Sequence, residues 1–98
     1  ANSRALEDRI NDAVASNPKL EHVVLQCSAI NAIDASALES LETIDQRLRA
    51  SGVALHLSEV KGPVMDKLRT THFLRELSGQ VFLTHYQAVS ALGVGTPA

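Results

Sequence analysis

Disulfides, membrane spans and catalytic signatures are all missing from this chain, and each absence narrows what it can be. Its single cysteine, Cys27, cannot close an internal bridge. It falls inside the most apolar run, where a thiol packs as a small hydrophobe, and a reducing, cytosolic setting fits. No apolar stretch approaches the roughly 18–20 residues that span a bilayer, and the N-terminus lacks the basic-then-apolar order of a signal peptide. The polypeptide by itself is expected to be soluble, without direct membrane insertion. Neither sign of charge dominates: the formal net charge is -2 and there is no Lys/Arg run. That balance gives no electrostatic reason to expect nucleic acid as a partner.

Signatures of catalysis and metal binding are equally sparse. No P-loop, G-x-G-x-x-G, C-x-x-C or H-x-x-x-H spacing occurs, and Gly62-Pro63 is better explained as a helix start. His22, His56, His72 and His85 fall on separate elements and read as solvated or hydrogen-bonded histidines rather than a metal set. Cys27 has no histidine paired with it in the sequence and reads as core rather than nucleophile. The expectation is a non-enzymatic domain with no cofactor and no metal.

What is present is a regular switch between helical and strand periodicity. With 98 residues, 45% hydrophobic and 20% charged, the chain fits one domain. Such a domain buries roughly 60–65% of its unfolded surface. Asn2 or Ser3 can cap a first helix carrying Leu6, Ile10 and Val14, and Asn17-Pro18 ends it. A strand follows at His22–Cys27. In the second helix Leu38, Leu41, Ile44 and Leu48 form an apolar stripe, with Asp45 beside Ile44. Ser36 with Glu39 three residues on has the capping-box pattern and is expected to open that helix, which Ser51-Gly52 closes. Glu39, Glu42, Asp45, Gln46 and Arg49 read as its solvated polar face.

Val53–Leu57 reads as the second strand, and Pro63 suits the first turn of a helix that turns Val64, Met65 and Leu68 inward. Phe73, Leu74 and Leu77 form an apolar cluster before a short strand at Val81–Leu83. Thr84 with Gln87 opens a last helix using Ala88, Val89 and Leu92. Residues 1–92 are thus expected to be a single domain and 93–98 a frayed tail. The order α-β-α-β-α-β-α predicts an α/β fold with a mainly parallel sheet and right-handed crossovers. Three strands are few for such a sheet and the chain opens on a helix, so the reading is of a domain trimmed at its N-terminus or left with an open sheet edge. The polar loop after the first strand is the natural working surface, because partners gather at the carboxyl ends of strands, near helix N-termini.

The succession Val23-Val24-Leu25, then Ile33-Asp34-Ala35-Ser36-Ala37-Leu38 with Leu41, then Gly52-Val53-Ala54-Leu55, then Val60-Lys61-Gly62-Pro63-Val64 with Leu68 resembles the STAS domain. That family comprises anti-sigma factor antagonists and the cytoplasmic C-terminal domains of SulP-type sulfate/anion permeases. The likeness covers nearly everything from Asn2 to Leu92, and Gly62-Pro63-Val64 is more like the permease branch. It implies that one or two strands normally precede the first helix.

In the antagonists the residue directly after the loop aspartate is the serine that a partner kinase phosphorylates; here it is Ala35, which has no hydroxyl. The antagonists also commonly carry glycine where this chain has Ala37. The resemblance therefore implies a non-catalytic regulatory or interaction domain of a SulP-type transporter, on the cytoplasmic side of the membrane. A free-standing antagonist-like signalling protein is the alternative. The implied partner is the transporter's own transmembrane domain, a cytosolic protein or a second copy in a homodimer. The implied contact loop is Asp34, Ala35, Ser36 and Ala37, with Glu39 and Glu42 as a docking face. Asp34 carries two readings, a helix cap and a group that orients a partner or a phosphoryl group.

Overall fold

Seven of the eight elements among the described residues lie where the hydrophobic period places them. A computed structural model describes residues 3–93. Its order is α1 (Ser3–Ser16), β1 (His22–Gln26), α2 (Ala35–Ala50), β2 (Ala54–Ser58), α3 (Gly62–Arg69), α4 (Phe73–Glu76), β3 (Val81–Phe82) and α5 (His85–Leu92). Gly52 turns the chain after α2 at φ 76°, a conformation glycine reaches without the cost a Cβ imposes. Pro63 lies in the first turn of α3, where its missing N–H would have had no partner anyway. Thr84 caps α5 by accepting the Gln87 N–H at 3.0 Å, as its spacing predicts.

Two expectations about the elements need correction. The apolar cluster at Phe73–Leu77 winds into a turn of helix, because Phe73 drives its ring into the core at 1% exposure and Leu77 N–H closes the turn on Phe73 O at 2.9 Å. The order is therefore α-β-α-β-α-α-β-α. The three strands also end differently from the sequence reading: Cys27, Val53 and Leu83 lie just outside them, and Ser58 joins the second. The proposed Asn2 cap and positions 94–98 of the tail lie outside the described residues.

The sheet has the order β1-β2-β3 and is parallel throughout. Val23 pairs with Leu55 and Leu25 with Leu57, which in turn pairs with Val81. Strand alternation puts all of these on one face. There they join Leu41, Ile44 and Leu48 of α2, with Val64, Leu68 and Phe73, in a single aliphatic core. The opposite face carries His22, Val24, Gln26, Ala54, His56, Ser58 and Phe82, and α5 packs over part of it through the fully buried Ala88. Among the described residues β1 pairs on one side only. Its other edge borders a groove formed with Leu6, Ile10 and Ala13 of α1.

Asp45 is a further correction. It does not belong to the solvated face of α2: it is 5% exposed. One carboxylate oxygen accepts the Ser78 hydroxyl at 2.6 Å and the Ser78 N–H at 3.2 Å, and the other meets Arg49 at 3.3 Å. Ser78 Oγ in turn accepts the Leu55 N–H at 3.0 Å. Asp45 thus clamps the segment before β3 onto α2 and β2, and its burial is tolerated because the charge is fully hydrogen-bonded.

Candidate functional site

At the carboxyl ends of the strands three loops meet the starts of α2, α3 and α5. The loop after β1 is held at its root. Cys27 N–H donates to Ser58 O at 2.8 Å, Ile30 N–H closes a turn on Cys27 O at 3.0 Å, and Ile30 and Ile33 pack against the core. The loop therefore presents its polar residues outward from a rigid base.

Asp34, not Ser36, caps α2. The Asp34 backbone is extended at φ -99° and ψ 178°, and its carboxylate accepts the Ala37 N–H at 2.8 Å. Ser36 is the second residue of the helix and is exposed. The capping box expected from Ser36 and Glu39 fails because the helix begins at Ala35: a cap must have non-helical dihedrals, and Ser36 has already entered the helix. Ala35 and Ser36 are consequently exposed at the first turn, with Ala37 half-buried behind them.

Three contacts that no local sequence pattern shows complete the rim. Lys61 Nζ donates to Asn31 Oδ1, tying the loop before α2 to the loop before α3. Glu59, directly after β2, holds the left-handed φ of 57°, uncommon outside glycine, asparagine and aspartate. Its carboxylate accepts the His85 N–H at 2.7 Å, and Ser58 Oγ lies 2.9 Å from His85 Nδ1. These contacts join β2 to the first residue of α5. No local pattern marks them, since each links positions more than twenty residues apart.

Cys27 and Ser58, the two nucleophile-type side chains at the ends of β1 and β2, are both buried. Ser58 has a histidine beside it, but it is 0% exposed and presents no hydroxyl to a substrate. Cys27 is buried, and burial pushes its thiol up to about 11, with a hydrogen bond from the Ser58 backbone to the thiol acting more weakly the other way. Almost no thiolate exists near neutral pH, so the residue is core. Among the described residues no group of three or more metal-ligating side chains converges. Glu39 is exposed, whereas Glu42 is half-buried beside Asp45, Gln46, Arg49, Phe73 and Glu76. The two acids expected to form one docking face thus sit in different surroundings.

No helix among the described residues is long and apolar enough to cross a membrane. Comparison with known proteins matches the STAS domain over residues 1–88. The chain is 30% identical to Sulfate transporter 1.3 of Arabidopsis thaliana over 76 residues, covering 76% of this chain and 11% of that protein. It is 28% identical to Sulfate transporter 2.1 of the same plant over 102 aligned positions, covering 93% of the chain and 15% of that protein. It is 31% identical to Probable sulfate transporter 3.4 over 102 positions, covering 94% and 16% respectively. The chain thus spans 11–16% of the length of these relatives. With the parallel α/β fold, the loop built on Ile33-Asp34 and a family match over nearly its whole length, the chain belongs to the STAS domain family.

Proposed function

We propose that this chain is a regulatory docking domain of a SulP-type anion transporter, held on the cytoplasmic side and without catalytic chemistry of its own. The observation that carries the reading is the alignment of nearly the whole chain with a small portion of proteins named as sulfate transporters. Ala35 supports it against the antagonist alternative, because the residue after the loop aspartate has no hydroxyl to receive a phosphoryl group. The contact surface is the rim formed by Asn31, Asp34, Ala35, Ser36 and Lys61, and the partner is the transporter's own membrane region. In this reading Asp34 has a double use. Its carboxylate holds the helix start, while its exposure leaves the remaining lone pairs for a partner's donors.

The test uses the parent polypeptide in cells that lack their own sulfate uptake. Asp34→Asn keeps the cap but removes the charge, and Lys61→Ala frees the loop from its neighbour. Both are expected to reduce uptake while leaving the amount of protein in the membrane unchanged. Full uptake by both variants would overturn the assignment of this rim as the contact surface. A parent sequence with no apolar segments of ~20 residues would remove the transporter reading altogether.

A further inference from the structure

The sheet face opposite the aliphatic core carries two histidines that the sequence reading kept apart as members of separate elements. His22 opens β1 and His56 sits in the middle of β2. The register that pairs His22 with Ala54 and Val24 with His56 puts both rings on one face. His22 Nδ1 lies 3.0 Å from His56 Nε2, with ring centroids 5.1 Å apart. His56 is 3% exposed, and its other nitrogen, Nδ1, accepts the backbone N–H of Gln80 at 3.0 Å.

These contacts determine where the protons are. A nitrogen that accepts from a backbone N–H carries no proton itself, so neutral His56 is protonated on Nε2 and donates to His22 Nδ1. The bonds run one way, from Gln80 to His56 and from His56 to His22. A further proton has no place in this chain. On His56 it sets Nδ1–H against the Gln80 N–H. On His22 it sets Nδ1–H against His56 Nε2–H, and shifting the His56 proton to Nδ1 only moves the conflict to Gln80.

We infer that the His22–His56–Gln80 chain is a proton-sensitive latch: adding a proton to the histidine pair below neutral pH releases Gln80 and loosens the start of β3 on β2, while the Ser78–Asp45 and Glu59–His85 contacts stay in place. Gln80 holds the start of β3. β3 pairs with β2 at only two positions, Leu57 with Val81 and Ser58 with Phe82. Next to them, Gln80 gives its N–H to His56 and takes the Leu57 N–H on its carbonyl at 3.0 Å. Gly79 brings the backbone flush against the latch, since a Cβ there would run into Leu55 O and the His56 ring. Phe82 closes another side, its ring centroid 5.7 Å from that of His56.

Among the described residues no hydrogen-bonded acid compensates an added positive charge on the pair. His22 is the titratable group that faces His56 from β1, and Gly79, Gln80 and Phe82 bring none from the following segment. On α5, His85 is engaged with Ser58 Oγ, while the Glu59 carboxylate is taken up by the His85 N–H. Glu21 precedes His22 but is exposed, and among the described residues no carboxylate is hydrogen-bonded to either ring. Burial first, and the charge of His22 second, hold His56 below the ordinary histidine range. The unfolded chain takes up its proton near pH 6.5 and the folded chain only at lower pH. The latch therefore holds fully above about pH 6.5, weakens as pH falls towards the lowered value of His56, and loses no more below it.

The experiment is an NMR titration of the full chain from pH 8 to 5, following the histidine rings, the Gln80 amide and hydrogen exchange at the Leu57 amide. The His56 ring and the Gln80 amide are expected to shift together, with a midpoint below 6.5. Leu57 protection, corrected for intrinsic exchange, is expected to fall by up to about tenfold for each unit that separates His56 from free histidine. In His56→Asn, Oδ1 can take the Gln80 N–H without titrating, and the pH dependence at Leu57 is expected to vanish. Titration of His56 at an ordinary value, or a Gln80 amide and Leu57 protection that ignore it, overturns the inference in the unmodified protein alone. An Asn variant that keeps the full pH dependence overturns it as well.

Discussion

Replacing Asp34 by alanine tests which residue starts α2, and with it the geometry of the whole contact loop. The substitution removes one acceptor, the oxygen 2.8 Å from the Ala37 N–H. That N–H is exposed, so water can replace the lost partner in part and no buried donor is stranded. The cost is then that of an ordinary N-cap, about 1 kcal/mol within a range of roughly 0.5–2. The favourable placement of a negative charge at the helix N-terminus is contained in that figure and weakens with salt. For a domain of this size about 1 kcal/mol corresponds to a fall in Tm of roughly 4–8 °C.

Ser36→Ala serves as the control. Ser36 is exposed inside the first turn and no hydrogen bond of its side chain holds the helix start, so its loss is expected to fall within about 0.5 kcal/mol of neutral. Asp34→Asn retains an acceptor of similar capping strength and is expected to stay close to the parent. Thermal unfolding followed by circular dichroism, with urea unfolding as a check, measures all three. A loss at Ser36 equal to that at Asp34, or no loss at Asp34, would refute the assignment of the cap and move the helix start by two residues.

Three further outcomes are expected. Cys27, raised by burial to about 11, should resist iodoacetamide at pH 7.5 in the folded protein and react once urea exposes it; rapid labelling without denaturant would contradict its place in the core. Incubation with an anti-sigma kinase and ATP should leave the Asp34–Ala37 loop unmodified, because Ala35 has no hydroxyl, and stoichiometric phosphate on Ser36 by mass spectrometry would revive the antagonist reading. Because β1 pairs on one side only among the described residues, the chain should self-associate at high concentration. Light scattering that shows a strict monomer, together with protected amides throughout Val23–Leu25, would mean that this edge is covered.

The alternation of helix and strand periods was enough to specify the parallel α/β arrangement, because strand alternation and the helical stripe of Leu41, Ile44 and Leu48 are properties of short windows. The same holds for the turn at Gly52, the start at Pro63 and the cap at Thr84, where one residue's dihedral range or hydroxyl decides locally. The absence of a hydroxyl at position 35 needs no fold at all. Where two local solutions competed, sequence could not choose: Asp34 and Ser36 are both good caps, and the packing of Ile30 and Ile33 decides where the loop ends and the helix begins. Tertiary structure alone decided the rest. Asp45 looks like one more surface acid until Ser78 arrives from 33 residues away, and His22 and His56 become a pair only when two strands 34 residues apart adopt one register. Such contacts close long loops, so their partners leave no trace in any window short enough to show a period.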